Sequence, residues 1–220
     1  MPKPRGNKKK KKLKPVLHIF CEGAKTEPHY FNGYLKEHFS NNRLLKVIRV
    51  EKTNKNTPIQ LVEEATRLKT DRITPAHDVF WVVYDREATN KYSNNLHKQA
   101  LDKAKGNDIN VCITNVCFEV WILLHINEVN APYSSCNDLL KNSSLKTYLK
   151  THGIRNYDKA NENVFELILN EIPNARRRAK KMNSETLKSS YETDTNPHLL
   201  NPYTQVHELL DAIDEFAKGI

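Results

Sequence analysis

Three acidic residues stand where chemistry is usually placed: Glu22, directly after the apolar run 16–21, and Asp85 and Glu87, directly after a second apolar run, 78–84 (DVFWVVY). Carboxylates gathered without counterions repel one another, so such a group persists chiefly around a divalent cation. An all-oxygen donor set suits Mg2+ or Mn2+ rather than zinc. In an extended chain residues i and i+2 point to the same side, so Asp85 and Glu87 can face one ion while Arg86 points away or reaches a phosphate. Sites of this type serve phosphoryl transfer or phosphodiester hydrolysis, with one metal activating water and another steadying the leaving oxygen about 4 Å away. Taken singly, each acid is more often a helix cap than a catalyst. Their arrival together from two strand ends is what points to metal.

The elements that must position them follow from the hydrophobic pattern. Both apolar runs are short and almost unbroken, as in central parallel strands covered on two faces, and ligands of open α/β sheets bind outside the carboxyl ends of such strands. Strand and helix alternate up to residue 114: strand 16–21, helix 27–39 with Thr26 as its N-cap, a half-exposed strand 44–50, a helix opened by Thr57 and Pro58, strand 78–84, a polar helix 94–105 closed by Gly106, and strand 110–114. That alternation predicts an α/β fold with a mostly parallel sheet covered by helices. Residues 116–126 (VCFEVWILLHI) are too long for one strand and read as a buried helix, with Glu119 and His125 its only polar side chains. A buried acid costs energy unless it is paired or metal-bound, so Glu119 is a candidate fourth ligand; His125 reads as a hydrogen-bonded core residue. Beyond residue 131 the chain is polar and helical, with short helices at 137–141, 144–150 and 162–171. Then come a basic cluster on a helix (Arg176, Arg177, Arg178, Lys180, Lys181), a loop over 185–202 and an amphipathic helix 204–216 capped by Thr204. The expected organisation is a basic arm 1–15, an α/β core 16–130 and a helical part 131–220 packed on that core.

Composition narrows the class. The 220 residues are 38% hydrophobic and 28% charged, an ordinary soluble balance, and no apolar run approaches the roughly 20 residues of a membrane span. The lysine-rich start followed by VLHIFC is too short in its apolar part for a signal peptide, so a cytoplasmic protein is expected. Cys21 and Cys112 fall in strands, and Cys117 and Cys136 show no C-x-x-C spacing, so all four are read as reduced and mostly buried. Of the net charge of +9, eight charges come from Lys3, Arg5, Lys8, Lys9, Lys10, Lys11, Lys12 and Lys14, so everything after Pro15 carries only +1. Such a run repels itself and attracts phosphate without reading bases, or else serves as a solubilising tail. GAKTE lacks the first glycine of a Walker A loop, which removes that reading of Lys25, although the lysine can still meet a phosphate.

CEGAKTEPHYF, VVYDRE, TNVCFEVWILLH and NPYTQVHELL, in that order, resemble the RloB-like family of bacterial proteins, which is related to the Toprim fold of topoisomerases, DnaG-type primases and OLD-family nucleases. The resemblance spans about residues 16–213 and implies a Toprim-like, Rossmann-like core. In Toprim domains a glutamate after the first strand and a D-x-D after a later one hold Mg2+, which implies metal-binding and catalytic roles for Glu22, Asp85 and Glu87, with Glu in place of the second Asp. Lys25, Glu27 and Glu119 match family segments. The resemblance also implies an effector of antiphage, abortive-infection systems, often encoded beside an ATPase. The leading expectation is therefore a metal-dependent nuclease in which Lys25, Arg86, Arg176, Arg177 and the basic arm contact nucleic acid. The alternative is a non-catalytic module binding nucleic acid or a partner ATPase, favoured by the altered Asp-x-Glu pair and the nearly neutral body. A small-molecule phosphotransferase is remote, lacking a glycine-rich nucleotide motif.

Overall fold

A computed structural model describes residues 14–39, 46–158, 161, 163–191 and 195–219. Strands β1 (Leu17–Cys21), β2 (Ile48–Glu51), β3 (Val79–Asp85) and β4 (Asn110–Asn115) run parallel in the order β2-β1-β3-β4, and the short β5 (Tyr203–Thr204) joins β4 antiparallel. The helices are α1 (Thr26–His38), α2 (Pro58–Lys69), α3 (Asn94–Gly106), α4 (Glu119–Ile126), α5 (Cys136–Asn142), α6 (Leu145–Thr151), α7 (Asn163–Ile168), α8 (Ile172–Ser189) and α9 (Val206–Lys218). The expected helix-covered, mostly parallel α/β sheet of Rossmann-like kind is the observed architecture.

The two-residue period of a strand divides the sheet's side chains between two cores. Phe20, Phe80, Val82, Tyr84 and Ile113 meet Leu61, Val62 and Ala65 of α2 and Ala100 and Ala104 of α3. On the other face Leu17, Ile19, Cys21, Trp81, Val83 and Cys112 meet α1, α4, α8 and α9. Leu139 of α5, Leu145 and Leu149 of α6, and Phe165 and Ile168 of α7 belong to that same cluster. The helical C-terminal part therefore shares the core of the sheet, and its β5 supplies an edge strand.

Several boundaries differ from the sequence expectation for local reasons. Thr57 caps α2 as expected, its hydroxyl accepting from Gln60 N–H. Lys25, not Thr26, is the residue before α1, and Gly106 lies inside α3, with Asn107 as its C-cap. α4 begins only at Glu119, because residues 116–118 turn the chain out of β4. α8 runs to Ser189 into the expected loop, held by buried Ala175, Ala179 and Met182 at helical spacing. Thr204 is a strand residue whose hydroxyl bonds that of Thr114 at 2.8 Å, and Gln205 takes the cap position of α9. Of the expected strand 44–50, residues 44 and 45 lie outside the described residues, as does residue 162 of the expected helix 162–171.

His125 is a core histidine, as its setting in an apolar helix suggests. Its Nδ1–H donates to the Trp121 carbonyl at 2.9 Å, and Nε2 accepts from the Tyr30 hydroxyl at 3.1 Å. Burial pushes its pKa down to about 4. An unfolded imidazole takes up its proton near pH 6.5, so as pH falls from 6.5 to 4 the unfolded chain gains a proton that the native state refuses. Stability attributable to His125 is full above 6.5 and should fall by up to about 3 kcal/mol across that window. An NMR titration of the ring should find it still neutral at pH 5; an ordinary midpoint near 6.5 in the folded protein would mean that water reaches it.

Candidate active site

The chain leaves β1 for β2 on one side of the sheet and returns to β3 on the other, so neighbouring β1 and β3 open a crevice beyond their carboxyl ends, the topological switch point where such sheets bind ligands. Glu22 and Asp85 stand on its two sides. The Glu22 N–H donates to the Val83 carbonyl at 2.8 Å, carrying the ladder one residue past β1. Gly23 then turns the chain at φ +82, a left-handed conformation that costs glycine nothing. The Asp85 N–H donates to Glu22 Oε2 at 3.1 Å, and the Tyr92 hydroxyl lies 3.4 Å from Glu22 Oε1 while donating to the Asn56 carbonyl at 2.6 Å.

Burial pushes the Glu22 carboxyl up to about 7, against the opposing pull of the Asp85 N–H and the Lys91 charge; the Glu87 charge adds to the rise. A carboxyl poised near neutrality in a crevice is suited to proton transfer or to receiving a cation. Asp85 is buried, and its charge reaches the Cys112 and Cys117 thiols, which burial in the first place holds well above the usual range.

Glu87 does not continue the pattern. β3 ends at Asp85, and Glu87 takes φ 58, so the extended geometry that would point residues 85 and 87 to one side stops before it. Its carboxylate forms a 2.6 Å ion pair with Lys91. Glu119 is fully buried, with Tyr157 O–H donating to Oε1 at 2.9 Å and Cys136 S–H to Oε2 at 3.3 Å. Among the described residues, the acids Glu22, Asp85, Glu87 and Glu119 do not close into one tight ligand set, whereas Cys117, Glu119 and Cys136 do, with ligand atoms all within 4.8 Å of one another.

The basic residues divide equally clearly. Lys25 is exposed at the turn into α1, and Arg177 is exposed on α8. Arg86, expected to reach nucleic acid, is instead buried: it donates to the carbonyls of His198 (3.0 Å) and Tyr92 (2.9 Å) and to Asn94 Oδ1 (2.6 Å). Arg176 is likewise committed inward, to Asp211 and Asp214 of α9 and the Tyr34 hydroxyl of α1. Arg178 donates to the Leu124 and His125 carbonyls at the end of α4, and Lys180 and Lys181 pair with Asp211 and Glu128. The second basic cluster thus mostly joins helices. Lys8, Lys9, Lys10, Lys11 and Lys12 lie outside the described residues.

Other residues carry no role assigned from the sequence. Glu27, which matches a family segment, lies in the first turn of α1; it is buried, and its charge raises the Cys21 thiol after burial itself. Lys91 and Tyr92 carry no signal beyond lying in the loop after β3. A polar cleft of about 310 Å³ beside the rim is lined by Glu87, Thr89, Asn115, Tyr133, Ser134 and Asn201, among others. Among the described residues no helix is long and apolar enough to cross a membrane.

No curated protein and no solved structure matches the chain. The model of the RloB-like protein family matches residues 17–213, from the first residue of β1 into α9, and the chain belongs to that family.

Proposed function

We propose that this chain is a Toprim-type nuclease that cuts nucleic-acid phosphodiesters with Mg2+ or Mn2+, acting in the cytoplasm as an effector of antiphage defence. The observation that supports it most is the pairing at the switch point: Asp85 N–H held on Glu22 Oε2, with the Glu22 carboxyl poised near pH 7. Two carboxylates on adjacent strand ends form a hard donor set, so Glu22 and Asp85 fit a magnesium-like ion. When bound, that ion supplies Lewis-acid stabilisation of charge on the phosphate oxygens. Where Asp85 carries the ion and Glu22 keeps its raised proton affinity, Glu22 takes a proton from an attacking water or returns one to a leaving oxygen; an ion bound to Glu22 itself would lower that affinity. Glu87 can join by exchanging Lys91, since a partly exposed i,i+4 pair holds it by only a few tenths of a kcal/mol. Lys25 meets the substrate's phosphate from the turn.

A second reading, binding of nucleic acid or a partner ATPase without cleavage, is favoured by the inward commitment of Arg86, Arg176 and Arg178. Incubating the purified chain and Mn2+ with plasmid DNA and with single-stranded RNA separates the two. Metal-dependent scission of either substrate supports the nuclease; retention in a gel shift with both substrates intact supports the binding module.

The basic arm contributes in both readings. Removing residues 1–14 deletes eight positive charges. It should weaken nucleic-acid binding equally for unrelated sequences and flatten the dependence of log K on log salt, since each phosphate contact contributes about 0.9 to that slope on duplex DNA. Fluorescence anisotropy across a salt series measures this. An unchanged slope would make the arm a solubility tail and move the footprint to Lys25, Arg177 and the rim.

A further inference from the structure

We propose that Cys117, Glu119 and Cys136 form a second metal site, one for a thiophilic divalent cation of the zinc type. It is separate in chemistry from the oxygen-lined crevice and does not depend on the nuclease reading. The three ligands come from two places in the chain. Cys117 lies in the turn between β4 and α4, Glu119 is the first residue of α4, and Cys136 is the first residue of α5. Their ligand atoms all lie within 4.8 Å of one another. Tetrahedral zinc, with bonds of about 2.3 Å to sulfur and about 2.0–2.2 Å to oxygen, spaces sulfur and oxygen ligands about 3.5 Å apart. The Cys136 Sγ to Glu119 Oε2 separation of 3.3 Å is close to that edge.

The surroundings are those of a built site. Cys117 and Glu119 are wholly buried, whereas Cys136 is half-buried and leaves one side approachable. Tyr157 O–H donates to Glu119 Oε1 at 2.9 Å and so fixes the carboxylate with Oε2 turned to the Cys136 sulfur. Such outer hydrogen bonds orient metal-binding carboxylates. The start of α5, at Cys136, is fixed by its own N-cap, the Ser135 hydroxyl accepting from Asp138 N–H. Two sulfurs and one oxygen suit zinc better than magnesium, and three protein ligands leave the fourth position to water or substrate. As each sulfur binds, its thiol proton passes to solvent, so charge and atoms balance with up to two protons released per ion. A bound ion would fasten α5 to the turn that follows β4.

The test uses the reduced full-length chain with Co2+ as a spectroscopic probe. The expected result is one equivalent of Co2+ giving a near-ultraviolet sulfur-to-metal band, displaced by one equivalent of Zn2+ and untouched by a large excess of Mg2+. Cys136→Ser should weaken Zn2+ binding by roughly 10- to 100-fold or more, and Tyr157→Phe by up to about the same factor, whereas Cys21→Ser should leave the band as it is. A band that survives the Cys117→Ser/Cys136→Ser double variant would overturn the site. So would reduced wild-type protein that shows neither a thiolate band nor a Zn2+-dependent rise in melting temperature, a reading that needs no variant to fold. Co2+ bound without sulfur character would likewise place the ion elsewhere and end the proposal.

Discussion

Glu22→Gln should lower divalent-dependent cleavage by roughly 10²- to 10⁴-fold, the range lost with a positioned acid or base, while leaving the protein as stable as before or more so. The glutamine oxygen can still accept the Asp85 N–H that now reaches Glu22 Oε2 at 3.1 Å. What disappears is a charge that the site resists. Burial raises the Glu22 carboxyl from an ordinary 4.5 to about 7, so the folded state holds a proton that the unfolded chain has already released. The sign follows directly: the stability tied to this group is full below about pH 4.5 and is lost as pH rises through 7. At pH 8 the wild-type chain without metal therefore carries the whole penalty, and the amide variant carries none. Melting at pH 8 and at pH 5 should show the variant gaining on the wild type only at the higher pH. Asp85→Asn should lose cleavage alike, and the heat of Mn2+ binding should shrink in both variants. Undiminished cleavage in both would remove the pair from the chemistry, whereas lost cleavage with a collapsed melting temperature at both pH values would mark Glu22 as structural.

The parts of this arrangement readable from sequence are those fixed by local pattern. The apolar runs ending at Cys21 and Tyr84 could hardly be anything but buried strands, so Glu22 and Asp85 were assigned to the carboxyl edge by their place in the chain alone. Their adjacency follows from the 2-1-3-4 order, which puts β1 beside β3. The i, i+2 geometry expected of Asp85 and Glu87 is absent because that rule holds only while the backbone stays extended, and residue 87 takes a left-handed φ just past the end of β3. Arg86 and Arg176 mislead for a different reason. A guanidinium has the same formula whether it faces phosphate or carbonyl oxygens, and its partners here, such as His198 and Asp214, are distant in sequence. The Cys117–Glu119–Cys136 cluster was invisible on the same grounds: its two thiols lie nineteen positions apart in the chain, and only the docking of α5 beside the start of α4 brings them together.

Arg86→Met should cost about 3–5 kcal/mol of stability, the sum expected when several buried acceptors lose their donor at about 1–3 kcal/mol each. Although Arg86 lies between the two rim acids Asp85 and Glu87 and borders the polar cleft of about 310 Å³, the residue is only 3% exposed. The guanidinium ties two distant segments together through three acceptors: Nε donates to the His198 carbonyl at 3.0 Å, Nη1 to the Tyr92 carbonyl at 2.9 Å, and Nη2 to Asn94 Oδ1 at 2.6 Å. Its own carbonyl accepts from His97 Nε2 at 2.9 Å, and its N–H donates to Thr114 at 2.8 Å. Methionine fills much of the volume but leaves those acceptors buried without a donor, at about 1–3 kcal/mol each where water cannot replace it. Arg86→Lys should recover only part of the loss, because one ammonium cannot reproduce a planar fork aimed at three acceptors. The loop that slackens carries Lys91 and Tyr92, so the Glu22 carboxyl should lose the Lys91 charge and the Tyr92 hydroxyl that now oppose its rise, and titrate still higher. Urea unfolding gives the stability, and anisotropy with a labelled oligonucleotide gives binding at a temperature where the variant stays folded. A variant with unchanged unfolding and sharply weakened oligonucleotide binding would turn Arg86 back into a nucleic-acid contact. Lower stability with near-normal binding is what a guanidinium spent wholly on the protein's own carbonyl and amide oxygens requires.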